Sequence, residues 1–194
     1  MAAPRIKTKR ATNKGQPVQL TRRSLEQQEK WRQFWQDNHE VPSTGRYNLT
    51  ISDAPKFIWY RNAKVATRTT FEILGSAGVE FTAAQARRCH YSPQLYRDYF
   101  KFAFVRNPWD RFVSGWLNKV VESNHLKFEP NEHQAMQQFE SFVAYYAQID
   151  TATCNAHFRQ QNKLIDLNDV DFVGRQENFA KDLRQVFRHL KLPV

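Results

Sequence analysis

Three short apolar runs punctuate the chain: Phe57-Ile58-Trp59-Tyr60, Phe102-Ala103-Phe104-Val105 and Val170–Val173. Each has the length and the aromatic or β-branched content of a buried strand. Between them, apolar positions recur at helical spacing. After the first run a loop, 61–66, leads into a helix over Thr67–Leu74 that stops near Gly75 and Gly78. After the second, Asn107 and Pro108 supply an N-cap and a proline at the first helical position. Trp109, Phe112, Val113, Trp116, Leu117, Val120 and Val121 then form one apolar stripe. A polar loop over 122–133 precedes a helix across Met136–Ile149, and a last helix, Glu177–Leu190, carries Phe179, Leu183, Val186, Phe187 and Leu190 on one face. Upstream, Ser24 and Gln27 have capping-box spacing and open a helix to about Asp37 that buries Trp31, Phe34 and Trp35. Pro42–Asp53 reads as irregular connection. Strands alternating with helices predict an α/β fold with a parallel sheet.

Composition fits that picture. Hydrophobic residues are 41% of 194 and aromatics 14%, enough for a packed core in one domain over 24–194. No run of 18 apolar residues predicts a membrane span, and the basic start lacks the apolar stretch of a secretory signal, so a cytoplasmic protein is expected. Cys89 and Cys154 are too few for a disulfide framework or a four-cysteine zinc site. Of the net charge of +10, residues 1–30 hold +6, so the excess belongs mainly to an arm, 1–23, read as disordered and solvated. The arm leaves open a nucleic-acid-binding module, which is disfavoured because most aromatics fall on core-facing positions.

Chemistry concentrates where two predicted strands end, the place where open parallel sheets bind ligands. Lys64-Val65-Ala66-Thr67-Arg68-Thr69-Thr70 combines a point charge, a small residue and hydroxyls at a helix N-terminus, the parts of an anion cradle. It is no Walker A loop, since GxxxxGK[ST] is absent, which also disfavours a nucleotide kinase. An ordinary strand-to-helix turn with a solvated lysine is the plainer alternative. At the second end, Arg106 offers a planar fork for phosphate and Ser114 a hydroxyl two turns into the helix. A structural Arg106–Asp110 ion pair and an exposed helix serine are the alternatives there.

Lys64–Thr70 resembles the 5′-phosphosulfate loop of sulfotransferases that use 3′-phosphoadenosine 5′-phosphosulfate (PAPS), and Phe104–Ser114 resembles their 3′-phosphate motif, Val-Arg-x-Pro-x-x-Arg-x-x-Ser. Ala156–Gln161 and Asp171–Glu177 are similar to segments of the carbohydrate branch, family 2. Ala66 departs from a frequent glycine and Arg68 from a frequent threonine. The resemblance implies a P-loop-NTPase-like three-layer sandwich with a central, mostly parallel sheet flanked by helices. It implies transfer of a sulfuryl group from PAPS to a hydroxyl of a carbohydrate or similar acceptor, anionic ones included, with release of adenosine 3′,5′-bisphosphate. Residues 64–70, Arg106, Ser114 and Arg175 would hold the nucleotide, with Lys64 on the leaving oxygen. His90, between the two motifs, would be the general base, and His157 an acceptor-binding group or alternative base. No metal is expected: a sulfuryl group carries less charge than a phosphoryl group. His125, His133 and the nearby glutamates are spaced too irregularly for a metal set.

Overall fold

Residues 42–193 are described in the computed structural model. The arm 1–23 and the helix expected over Ser24–Asp37 lie outside the described residues. Strands β1 (Tyr47–Asp53) and β2 (Lys56–Tyr60) form an antiparallel hairpin, followed by helix α1 (Thr67–Ser76), β3 (Ala83–Cys89) and β4 (Phe100–Val105). Helix α2 (Pro108–Trp116) runs into a π turn, Leu117–Val121. Helices α3 (Pro130–Met136) and α4 (Phe139–Tyr146), strand β5 (Phe172–Arg175) and helix α5 (Phe179–Leu190) complete the chain. The sheet order is β3-β1-β2-β4-β5. Because β1 is antiparallel to both its neighbours while β2, β4 and β5 are parallel, four of the five strands point the same way.

Alternation along the central strands sends side chains to two cores. Phe57, Trp59, Phe102 and Phe104 pack beneath α1 and α5 through Leu74, Leu183, Val186, Phe187 and Leu190. Each such large apolar side chain contributes about 1.5–3 kcal/mol by leaving water. The periodic face expected of the last helix is the one it buries. Ile58, Tyr60 and Ala103 face the other way, onto Leu49, Ile51, Tyr91, Tyr96 and Ile165. A third cluster, Val120, Phe142, Tyr146 and Phe158, joins α4 to the far end of α2.

Four expectations need correction. Tyr47–Asp53 is a strand, hidden because its Thr50 and Ser52 are polar yet fully buried. Their hydroxyls donate to Ala84 O at 2.6 Å and Glu80 O at 2.8 Å, which removes the cost of burial. Its partner β3 buries only Ala83 and Ala86, too little apolar mass to show as a periodic signal. The helix over Met136–Ile149 is broken at Gln137-Gln138 into α3 and α4, and the third apolar run begins its strand at Phe172. The stripe on α2 is only half core: Trp109 is 80% exposed, while Arg111, a charged residue, is 4% exposed. The π turn, closed by Glu122 N–H to Leu117 O at 2.8 Å, inserts a residue and rotates the downstream positions off the 3.6-residue period.

Candidate active site

Parallel β2 and β4 end side by side, Tyr60 opposite Ala103, so the loops that leave them emerge as neighbours. After β2, buried Asn62 donates Nδ2–H to Phe104 O at 2.8 Å and ties the first loop to the second strand. Lys64 (φ 67°) and Ala66 (φ 44°) both adopt the left-handed conformation, with Ala66 as the N-cap of α1. Alternating handedness of this kind turns backbone N–H groups into an anion-binding concavity, here at a helix N-terminus. A left-handed alanine costs about 1 kcal/mol that glycine avoids. Thr67 donates its hydroxyl to Asn62 O and so closes the loop on itself.

The end of β4 is held differently. Gln161 accepts from Arg106 N–H at 2.9 Å and returns its own Nε2–H to Arg106 O at 2.8 Å, occupying both backbone groups as a further strand would. Glu177 accepts from Asn107 N–H, and the Asn107 side chain caps α2 by accepting from Trp109 N–H at 2.9 Å. The backbone hydrogen bond holds the Glu177 carboxyl below the ordinary range. Among the described residues no ion pair joins Arg106 to Asp110.

The two loops open onto one cavity of about 590 Å³, lined by Lys64, Val65, Ala66, Thr67, Arg68, Thr69, Arg106, Ser114 and His157, together with Arg87, Asn118, Lys119 and Gln176. An adjoining hollow of about 400 Å³ shares Lys64, Arg106, Ser114 and Asn118 and adds Asp110 and Glu122. Lys64 is pushed below the ordinary lysine range by burial first and then by Lys119, Arg68 and Arg106, with Glu122 opposing. His157 is driven down to about 4, again by burial first, then by Lys119, His125, Lys64 and Arg111. Its Nδ1 lies 2.8 Å from Asn155 Oδ1. An amide oxygen only accepts, so Nδ1 carries the proton and Nε2 keeps its lone pair. The His125 ring meets His157 edge-on at 5.3 Å.

Not every expected residue reaches the cavity. Thr70 is buried and spends its hydroxyl on Ala66 O at 3.0 Å. Arg175 is exposed and outside the lining, its place taken by Gln176, whose Oε1 is buried without a hydrogen-bond partner. His90 leaves β3 at the same end of the sheet, but β1 lies between it and β2. Its Nδ1 is 2.7 Å from Ser43 O, and its Nε2 accepts from Arg46 Nε–H at 3.2 Å. Both ring nitrogens are engaged and the ring is not part of the lining, so the structure does not supply His90 as a base for this cavity. Arg87, Asn118, Lys119 and Gln161 were not expected at the site. Arg87 sits on the unrecognised β3 and Lys119 in the π turn, whereas Asn118, four residues after Ser114, was within reach of helical spacing. Among the described residues no group of three or more His, Cys, Asp or Glu could hold a metal ion. None of their helices is long and apolar enough to cross a membrane.

A layered α/β sheet thus brings two cationic loops together at adjacent strand ends. Residues 47–194 match the sequence profile of the sulfotransferase family, and the chain belongs to that family. Its fold is the P-loop-like fold of sulfotransferases. It is 28% identical to carbohydrate sulfotransferase 12 of Mus musculus, over 50% of this chain and 29% of the mouse protein. It is 26% identical to an uncharacterized protein of Archaeoglobus fulgidus, over 52% of this chain and 74% of that one. The match thus spans less than a third of the mouse protein's length. No solved structure matches the chain significantly.

Proposed function

We propose that this sulfotransferase moves the sulfuryl group of PAPS to a hydroxyl of a carbohydrate acceptor. The observation that carries the reading is the pair of cationic strand ends, Lys64 and Arg106 with Ser114, opening on one cavity. PAPS has an anionic group at each end of its ribose, a 5′-phosphosulfate and a 3′-phosphate, and two cradles suit it. The 64–69 loop fits the phosphosulfate, and Arg106 with Ser114 fits the 3′-phosphate through charge-assisted hydrogen bonds. The carbohydrate acceptor is suggested by the name of the mouse relative.

In this reading Lys64 meets the negative charge that grows on the bridging oxygen as its bond to sulfur breaks. A new bond forms between sulfur and the acceptor oxygen, adenosine 3′,5′-bisphosphate leaves, and the acceptor proton passes to a base. His157 takes that role in preference to His90, because it lines the cavity with a free Nε2 lone pair. Its low proton affinity stems partly from Lys119 and Lys64, whose charges an anionic donor offsets, so binding raises it toward a working value. Calorimetry tests the nucleotide assignment. Adenosine 3′,5′-bisphosphate should bind roughly 10- to 100-fold more tightly than AMP, the scale of one net charge-assisted bond at about 1.5–3 kcal/mol. Arg106→Ala should erase most of that preference. Equal affinity for the two nucleotides in the unmodified protein refutes it.

A further inference from the structure

Arg111 stands in the middle of the second motif, yet its side chain points inward and is 4% exposed. Its guanidinium donates to three backbone carbonyls: Nε to Ala63 O at 3.0 Å, Nη1 to Arg159 O at 2.8 Å and Nη2 to Ala156 O at 2.8 Å. Those carbonyls bracket the two chemically placed residues. Ala63 immediately precedes Lys64, and Ala156 and Arg159 flank His157 and Phe158. Among the described residues it has no carboxylate partner, and burial pushes its guanidinium down to about 10.

A buried charge without a counterion is rarely the most stabilising choice, since an apolar side chain of similar volume is often as good. A planar fork can do one thing an apolar group cannot: fix three backbone points relative to one another. The segment it grips is otherwise braced. Arg159 donates to Thr153 O and Cys154 O, and Phe158 presses so close to Gly115 of α2 that an added Cβ would lie 2.7 Å from its ring. The brace therefore makes 154–159 one rigid piece, and Arg111 sets where that piece sits against the Lys64 loop.

We propose that Arg111 is a positioning residue for sulfuryl transfer, holding the Lys64 loop and the His157 segment at a fixed separation across α2. The proposal rests on the roles of Lys64 and His157 in the proposed reaction. Misplacing reacting groups by about 1 Å can cost roughly 100-fold in rate.

Two variants test it. Arg111→Met keeps bulk and loses charge; Arg111→Lys keeps charge but can satisfy few of the three carbonyls. The first readout needs no substrate: the imidazole titration of His157 followed by NMR. If Arg111 holds the segment in place, both variants let it relax toward water, and the midpoint climbs from about 4 toward the ordinary 6.5. An unchanged midpoint in Arg111→Lys, whether or not Arg111→Met moves, overturns the proposal, because charge alone would then explain any shift. The lysine variant suffices if the methionine variant fails to fold. The second readout is release of adenosine 3′,5′-bisphosphate from PAPS with water as acceptor. We expect a loss of roughly 10- to 100-fold in rate, with calorimetric affinity for the bisphosphate changed far less and part of the rate regained in Arg111→Lys. A parallel fall of rate and affinity that tracks melting temperature would mean general structural damage and would also overturn it. If the unmodified protein neither binds the bisphosphate nor cleaves PAPS, the functional reading fails, and the NMR titration still decides whether Arg111 positions His157.

Discussion

Removing the Gln161 amide should loosen the proposed 3′-phosphate cradle without touching a cation. The side chain holds the N–H and C=O of Arg106 at 2.9 Å and 2.8 Å, where β4 has ended and no strand neighbour remains to take them. Each bond is worth about 0.5–1.5 kcal/mol net, and the freed backbone groups are only partly reached by water. Gln161→Met, which keeps the volume, should therefore lose about 2 kcal/mol. For a protein of this length each kcal/mol moves Tm by roughly 2–4 °C, so the melt should fall by roughly 4–8 °C. The functional effect is separate from the thermal one. With its backbone unclamped, Arg106 must be ordered at the moment of binding, and about 1.4 kcal/mol of that cost weakens the bisphosphate about tenfold. Calorimetry against AMP isolates the 3′-phosphate component, since AMP lacks the group assigned to Arg106 in the proposed function. Gln161→Met should weaken the bisphosphate and leave AMP nearly unchanged. If melting temperature and bisphosphate affinity are indistinguishable from those of the unmodified protein, the clamp is incidental and Arg106 is ordered by other contacts.

Lys64→Ala should lower turnover roughly 100- to 1,000-fold, the scale of losing one preorganised donor to a developing oxyanion, while bisphosphate affinity falls less; near-normal turnover would remove Lys64 from the leaving-group role. His157 has its folded pKa lowered to about 4, so kcat/KM, which reports the free enzyme, should show no histidine step between pH 6 and 8; a rise through that range would remove His157 from the role of base. The same shift means the unfolded chain binds the His157 proton first. Stability should therefore be intact above the ordinary histidine range and fall as pH drops from about 6.5 toward 4, a trend calorimetric melts should lose in His157→Gln.

The two cradles were legible because their chemistry is local. Lys64, Thr67, Arg106, Asn107, Pro108 and Ser114 lie within short segments whose strand–loop–helix order comes from apolar runs and capping residues. The features that stayed hidden depend on pairing between distant segments. Thr50 and Ser52 read as polar until their hydroxyls find carbonyls on the neighbouring segment. Arg111 shows along the sequence only as the second arginine of its motif, and its burial follows from Ala63, Ala156 and Arg159, which come to surround it. Along the sequence His90, between the two motifs, stands ahead of His157 as the base. Only the order of the sheet, with β1 inserted between β3 and β2, separates His90 from the Lys64 loop.

The division of labour between neutral and charged groups reflects the needs of an anion site. Lys64, Arg68, Arg87, Arg106 and Lys119 converge on a cavity whose lining contains no acid. Had the loops been tied down by carboxylates to these cations, the site would be neutralised and each ligand anion would have to displace an internal partner. Instead the loops are fixed largely by groups bonded to backbone rather than to the cations: the Asn62 and Gln161 amides, the Thr67 hydroxyl and the buried Arg111, while Glu122 offsets Lys64 only in part. Lys64 is depressed by burial first and then by repulsion from Lys119, Arg68 and Arg106, and left-handed Lys64 and Ala66 add backbone strain. An arriving polyanion relieves the repulsion and finds its donors already oriented, so little reorganisation remains to be done as charge moves onto the leaving oxygen. A neutral ligand of the same shape would gain none of this, so under the proposed reaction the site selects for charge before it selects for shape.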